Sequence, residues 1–228
     1  MDYHHLHSWD LTPAEARQTQ EALRSRVIGE DKFGEIKTVG GVDLGFRQNI
    51  ARASVVALNY PDLELIDGVV VESPVPFPYI SGLLSFRELP PLLKAFDKIK
   101  TAPDLILADG QGIAHPRRFG LASHLGLVLD TPTIGCAKSR LWGQHKEPKN
   151  EVGAVEYLYD KAEIIGAAVR TRLNVRPVYV SVGHRISLSS AIWYTLSCCR
   201  KYRLPETTRH AHRAASGETS LPVWTEMV

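Results

Sequence analysis

Apolar residues near the N-terminus recur at helical spacing. Leu23 and Val27 lie four apart, and Thr12-Pro13-Ala14-Glu15 precedes them. Thr12 can cap, Pro13 suits the first helical position and Glu15 completes a capping box, which predicts a helix from there to about Arg26. The pattern then changes to dense apolar runs. Residues 39–46 surround one acid, Asp43; residues 51–59 hold Val55, Val56 and Leu58; residues 63–71 hold Ile66, Val69, Val70 and Val71. Only Tyr60-Pro61-Asp62 separates the second run from the third, so the spacing predicts a three-strand antiparallel meander.

Pro74, Pro76 and Pro78 interrupt the pattern. A helix is predicted over about 88–100, starting near Glu88 so that Pro90 and Pro91 fall in its first turn. The Ser85-Phe86-Arg87-Glu88 capping box would leave Pro90 too deep in the helix. Residues 104–108 form a continuous apolar run, as in a buried central strand, ending in Asp109-Gly110. A polar loop (111–120), a helix (121–129), a strand (133–137), a loop (143–152), a hairpin (157–160 and 163–170), a strand (177–182) and a helix (187–201) follow. The tail after Ala214 is expected to be loosely held. With no repeat or clear linker, residues 1–228 read as a single domain. The order predicts an α/β fold: a mixed sheet with an antiparallel three-strand meander and helices on both faces. That is the element order of the ribonuclease H-like fold, an analogy of architecture alone.

Composition adds little: 44% hydrophobic and 23% charged residues are ordinary for a globular chain. The net charge of +2 hides an asymmetry. Between residues 171 and 213 eight arginines and lysines face the single acid Glu206. This suggests an anionic partner on one face; a solvated surface is the other reading. The three cysteines, two of them adjacent, make neither a disulfide framework nor a zinc site. With no signal-peptide pattern and no apolar run of membrane-spanning length, a cytoplasmic protein with no membrane contact is expected, monomeric by default.

Candidate chemistry starts from acids in unusual places. Asp43 sits inside an apolar strand, where a charge is costly unless paired or bound to metal. Asp109 ends a buried strand, the usual position of functional sites in open α/β sheets, although an Asp-Gly turn accounts for it equally. Glu88 opens a helix, where it could simply cap. If the strands of Asp43 and Asp109 are neighbours, the three acids can converge, and such a cluster calls for a cation. Hard oxygen ligands favour Mg²⁺ or Mn²⁺. His115, Arg117 and Arg118 follow Asp109 and suit phosphate contacts, or form only a basic loop. Tyr79, in Pro78-Tyr79-Ile80-Ser81-Gly82, could stack on a base if exposed, although aromatics more often pack in cores. Lys138, after residues 133–137, could neutralise a phosphate or be a surface charge.

These residues, in this order, resemble the endonuclease V family. The resemblance runs from about residue 3 to 213 through Gly41-Val42-Asp43-Leu44, Phe77-Pro78-Tyr79-Ile80, Phe86-Arg87-Glu88, Asp109-Gly110-Gln111-Gly112 and His115-Pro116-Arg117-Arg118. It continues through Gly120-Leu121-Ala122-Ser123-His124, Pro132-Thr133-Ile134-Gly135 with Ala137-Lys138, Gly183-His184 and Arg203-Leu204-Pro205-Glu206. The resemblance implies a ribonuclease H-like fold and metal-binding acids at Asp43, Glu88 and Asp109. It further implies a residue near the metals at His212, with His210 close by, and a lysine near the scissile phosphate at Lys138. Tyr79 and Ile80 fall on a strand-separating wedge. Gly82, Leu84, Gly110, Leu121 and Gly135 fall on a largely backbone-lined hypoxanthine pocket, with His115 nearby. Where the family usually carries proline at the end of the wedge this chain has Ser81, which predicts a looser turn. Where it usually carries Pro-Glu-Pro-Thr-Arg, this chain has Pro205-Glu206-Thr207-Thr208-Arg209.

The activity so implied is that of a DNA repair endonuclease with Mg²⁺ as cofactor, Mn²⁺ able to substitute. It would cut the second phosphodiester bond 3′ to deoxyinosine and leave 3′-hydroxyl and 5′-phosphate ends. Inosine-containing RNA is an alternative substrate, discriminated at the 2′-hydroxyl of the cleaved linkage. A non-catalytic lesion binder and a junction resolvase are the other two readings.

Overall fold

The computed structural model describes residues 3–75 and 77–225. α1 (Pro13–Leu23) starts with the expected capping box: the Thr12 hydroxyl accepts from the Glu15 N–H, and the Glu15 carboxylate accepts from the Thr12 N–H. β1 (Thr38–Arg47), β2 (Ile50–Asn59) and β3 (Leu65–Pro74) form the expected meander. α2 (Leu84–Phe96), β4 (Leu105–Ala108), α3 (Leu121–Leu129) and β5 (Thr133–Ala137) follow. The chain then runs through β6 (Val155–Asp160), β7 (Glu163–Val169), β8 (Val178–His184), α4 (Leu188–Ser197), α5 (Glu206–Ser216) and β9 (Val223–Thr225). These nine strands make one sheet in the order β6-β7-β8-β5-β4-β1-β2-β3-β9. β1, β4 and β5 are mutually parallel at its centre, and β5–β8, β8–β7 and β7–β6 pair antiparallel.

Side chains alternate between the faces of a strand, and both faces are covered. Val42, Val55 and Ile106 pack under α2 and α3 with Leu89, Leu92, Phe96, Leu121 and Leu125. Val56, Leu58, Leu107 and Val180 pack under α4 and α5 with Ala191, Ala211 and Ala214. α5 lies directly on the meander. A Cβ at Gly41 would stand 2.1 Å from the Thr207 carbonyl oxygen, so only glycine admits the helix backbone there. The Ser54 hydroxyl donates to the Ala211 carbonyl at 2.7 Å. No helix among the described residues is long and apolar enough to cross a membrane.

Three elements differ from expectation. α2 begins at Leu84, not near Glu88, and carries Pro90 and Pro91 in its interior with no side-chain cap. An interior proline costs about 3 kcal/mol or more. Full burial of Phe86, Leu89, Leu92 and Phe96 offsets this at roughly 1.5–3 kcal/mol per side chain. α4 ends at Ser197, short of Lys201. The chain after Ala214 continues α5 to Ser216 and returns as β9, which pairs parallel to β3 with the Val70 N–H donating to the Pro222 carbonyl at 2.9 Å. α5 escaped notice because its packed face consists of Ala211, Ala214 and Ala215, with no large apolar residue to mark the helical period.

Candidate active site

The site grows from strand register. Val42 of β1 pairs with Ala108 of β4 in the last parallel step, so Asp43 and Asp109 emerge side by side at the carboxyl ends of two central strands. Glu88 reaches the same cleft from α2. Burial first, then the charges of Asp43 and Asp109, pushes its carboxyl up to about 8. Asp43 is also raised, mainly by burial, with Asp109 adding to the shift while His212 and Lys138 oppose it. The charge of Asp109 thus reaches both of the other acids, as it must where carboxylates are drawn together.

Two basic side chains answer that charge. His212, one turn before the end of α5, brings Nδ1 to 2.8 Å from Asp43 Oδ2. Asp43 therefore pairs with His212 and not with His210. Lys138, the residue after β5, ion-pairs with Asp109. Burial pulls the Lys138 ammonium down, but the bond to Asp109 and the charges of both aspartates outweigh this and leave it raised. Among the described residues no three acidic, histidine or cysteine side chains are gathered closely enough to form a finished ligand cage. The donor set still fits a hard divalent cation: carboxylate oxygens, mutually repelling, two of the three groups already bonded by Lys138 and His212.

Beside the acids lies a cavity of about 360 Å³. Gly82, Leu84, Gly110 and Leu121 line it together with Glu88, Asp109, His115 and Lys138. Gly135 does not reach it. It lies behind the Gly110–Gly112 turn, where a Cβ would stand 2.3 Å from the Gly112 N–H nitrogen. At the cavity wall α3 begins at Gly120 without a side-chain cap. Tyr79 stands at the rim, 73% exposed, and is not the core aromatic that composition favours. Ile80 is half-buried against the Phe77, Leu83 and Phe86 cluster.

The structure bonds His115, Arg117 and Arg118, expected as phosphate contacts, to neighbouring segments of the chain. Arg117 donates to the Gln20 side-chain oxygen at 2.5 Å and to the Gly82 carbonyl at 2.7 Å. Arg118 binds Asp160, Glu163 and the His115 carbonyl. His115 is buried, and desolvation first, then the Arg117 charge, depresses it to about 4. The loop follows immediately after the acids, but the fold turns its cations inward to hold neighbouring segments.

Sequence reasoning missed several supporting groups. Gln20, on the buried side of α1, donates to the Gly82 and Phe119 carbonyls. Gln111 donates to the Ser139 carbonyl at 2.9 Å and ties the turn after β4 to the residue beyond Lys138. Arg87 donates to the Phe77 carbonyl at 2.7 Å. Only Gln20 could have been flagged in advance, as a polar residue on an apolar helix face. A second depression of about 710 Å³ opens on the far side of Lys138, lined by Tyr202, Arg203, Arg209, His212 and Arg213 among others. Here part of the basic C-terminal third gathers, with the Arg209 guanidinium 3.4 Å above the Tyr202 ring centroid.

The buried histidines carry a pH consequence. His124 is fully buried and depressed well below its ordinary value by desolvation. Between pH 6.5 and about 4 the unfolded chain binds a proton at His115 that the folded chain refuses, and His124 acts in the same direction. Their contribution to stability is therefore intact above pH 6.5 and is lost as pH falls, at up to about 1.4 kcal/mol per unit for each ring. In an NMR titration of the ring nitrogens His115 should stay neutral at pH 5. Protonation of that ring near 6.5 would show that it is not desolvated.

A mixed sheet with central parallel strands, helices on both faces and acids at the strand ends defines a nuclease of the ribonuclease H-like class. The endonuclease V family model matches residues 21–213, and the chain belongs to that family. It is 53% identical over 219 residues to endonuclease V of Trichormus variabilis, covering 95% of this chain and 99% of the relative. The fold superposes on endonuclease V of Bacillus subtilis with a TM-score of 0.90 at 32% identity, covering 96% and 97% of the two chains. Endonuclease V of Ciona intestinalis, in complex with DNA containing an inosine followed by a ribo-adenosine, matches with a TM-score of 0.81 at 30% identity, covering 91% and 98%.

Proposed function

We propose that this chain is a Mg²⁺-dependent endodeoxyribonuclease that cuts the second phosphodiester bond 3′ to deoxyinosine, leaving 3′-hydroxyl and 5′-phosphate ends. The observation that carries the reading is the coupled cluster of Asp43, Glu88 and Asp109 opening beside a base-sized cavity. The Ciona relative bound to inosine-containing DNA supports the substrate class.

Asp43, Glu88 and Asp109 would hold Mg²⁺, or Mn²⁺ in its place, which when bound activates water and neutralises charge at the scissile phosphate. Lys138, held beside the cluster by Asp109, would supply a positive charge to the phosphate. His212 keeps Asp43 oriented and opposes the effect of its burial. Tyr79 and Ile80, at the rim, enter the duplex and fill the space of the extruded base. The cavity lined by Gly82, Leu84, Gly110 and Leu121 takes hypoxanthine. At the start of α3 the Gly120 and Ala122 N–H groups donate to the Gly112 and Gln111 carbonyls, so the N–H of Leu121, which lines the cavity, would meet the O6 acceptor that deamination creates. Adenine would set its N6 donor against the same donor, a mismatch that discriminates strongly. The depression beyond Lys138, with Arg209 and Arg213, takes the strand that continues past the cut.

The test is a labelled duplex containing one deoxyinosine, incubated with Mg²⁺ or with EDTA, beside an undamaged duplex and an inosine-containing RNA. A Mg²⁺-dependent nick one nucleotide beyond the lesion is expected on the damaged duplex alone or most rapidly. Binding without a nick in any divalent metal would sink the nuclease reading. Cutting indifferent to inosine would point to structure-specific resolution, and cutting confined to the RNA to a ribonuclease.

A further inference from the structure

The segment that carries Tyr79 is tied down at both ends by groups from other elements. At its start the Phe77 carbonyl accepts from Arg87 of α2 at 2.7 Å, and the Phe77 ring is buried 5.9 Å from Phe86. At its end a single carbonyl, that of Gly82, accepts from three donors. These are Arg117 Nη2 at 2.7 Å, Gln20 Nε2 at 3.0 Å and His115 Nε2 at 3.0 Å. Gln20 and Arg117 are themselves bonded, so α1, the turn and the loop after β4 meet at one oxygen.

Between the two anchors the backbone makes a tight turn. The Leu83 N–H donates to the Ile80 carbonyl at 2.9 Å, and Gly82 has φ +79°. That is the type II β-turn, with Ser81 at the second position and the obligatory positive φ on glycine at the third. The second position of such a turn favours proline, whose ring presets φ. Ser81 does not preset it, and Ser81 and Tyr79 are both exposed, so packing does not hold them either.

We propose that Arg117 and Gln20 are positioning residues for strand opening: their clamp on the Gly82 carbonyl supplies the stiffness that Ser81 does not, and so keeps Tyr79 rigid at the rim. The inference rests on the reading of Tyr79 as a wedge. It explains why Arg117, adjacent to the acids in sequence, faces inward. A wedge must resist the stacked bases it separates, and its backbone stays put only if the anchors cost more to break than the base pair does. The bond from Arg117 is charge-assisted, the stronger kind. A single strand has no partner to displace, so the clamp matters there much less.

The experiment compares wild type, Arg117→Met and Arg117→Met with Ser81→Pro. Substrates are a deoxyinosine duplex and the same inosine strand alone, and hydrogen exchange at the Leu83 amide is followed in parallel. Loss of a charge-assisted bond should lower the ratio of duplex to single-strand cutting about tenfold and speed Leu83 exchange by a similar factor. Adding Ser81→Pro should restore both, since proline suits that turn position. Should Arg117→Met fold poorly, Arg117→Lys retains the charge without the fork that spans Gln20 and Gly82, and should shift both readouts in the same direction. Equal losses on the two substrates, or unchanged exchange at Leu83, would overturn the clamp. A wild-type chain that cuts neither substrate would defeat the parent reading instead, and Leu83 exchange would still decide the clamp.

Discussion

Asp109→Asn is expected to lower Mg²⁺-dependent nicking of a deoxyinosine duplex by at least ~10³-fold, roughly 4 kcal/mol of transition-state stabilisation, while leaving the fold in place. Asp109 stands beside Asp43 because β1 and β4 run parallel in register. It is also the partner of Lys138. The amide keeps the shape but removes the charge that helps hold the ion, and it frees Lys138 from its resting position. Asp43→Asn should behave alike, with the added disturbance of the hydrogen bond to His212. Melting temperature should change little, because each substitution removes one member of a mutually repelling cluster. Single-turnover nicking in Mg²⁺, read beside a thermal melt in EDTA, checks both halves. Retained nicking by Asp109→Asn would remove that residue from the chemistry, and a collapsed melt would mean that its role is structural.

Glu88→Gln should separate stability from function. The Glu88 carboxyl is raised to about 8 by burial and by its two acidic neighbours. The folded chain therefore holds a proton at Glu88, between about pH 4.5 and 8, that the unfolded chain releases. Its contribution to stability is present below pH 4.5 and is lost as pH rises through about 8. Glutamine, neutral at every pH, escapes that loss. In EDTA at pH 8 the variant should melt above wild type by on the order of 2 kcal/mol, about 4–8 °C for a chain of this size. The gap should close toward pH 5. Added Mg²⁺ should raise wild type and move the variant less, since a ligand stabilises the state that binds it. Nicking by the variant should be lost. A Glu88→Gln chain that melts below wild type at pH 8 would show that the carboxylate is compensated without metal.

Much of this was legible along the chain. Burial writes itself into sequence as period-two and period-four apolar spacing, so the meander, β4, α3 and β5 could be placed closely. A charge inside such a run, as at Asp43, or at its very end, as at Asp109, marks a position that folding alone does not favour. Other features lay outside that signal. α2 passes through two prolines because Phe86, Leu89, Leu92 and Phe96 are buried together, an energy that no local propensity contains. α5 is marked only by alanines, small because the helix backbone rests on Gly41 and Ser54 of the sheet.

The sequence by itself determined the family and the order of strands and helices and singled out three acids, because these depend on residue type and local spacing. Tertiary structure alone decided which basic side chains stand beside those acids. His115, Arg117 and Arg118 follow Asp109 closely, yet they hold Gly82, Asp160 and Glu163. Lys138 and His212, 29 and 169 residues away from their aspartates, bond the acids instead. The physical reason is that an ion pair forms over a few ångströms of space, and only the parallel register of β1 and β4 and the docking of α5 bring those distant side chains within that range.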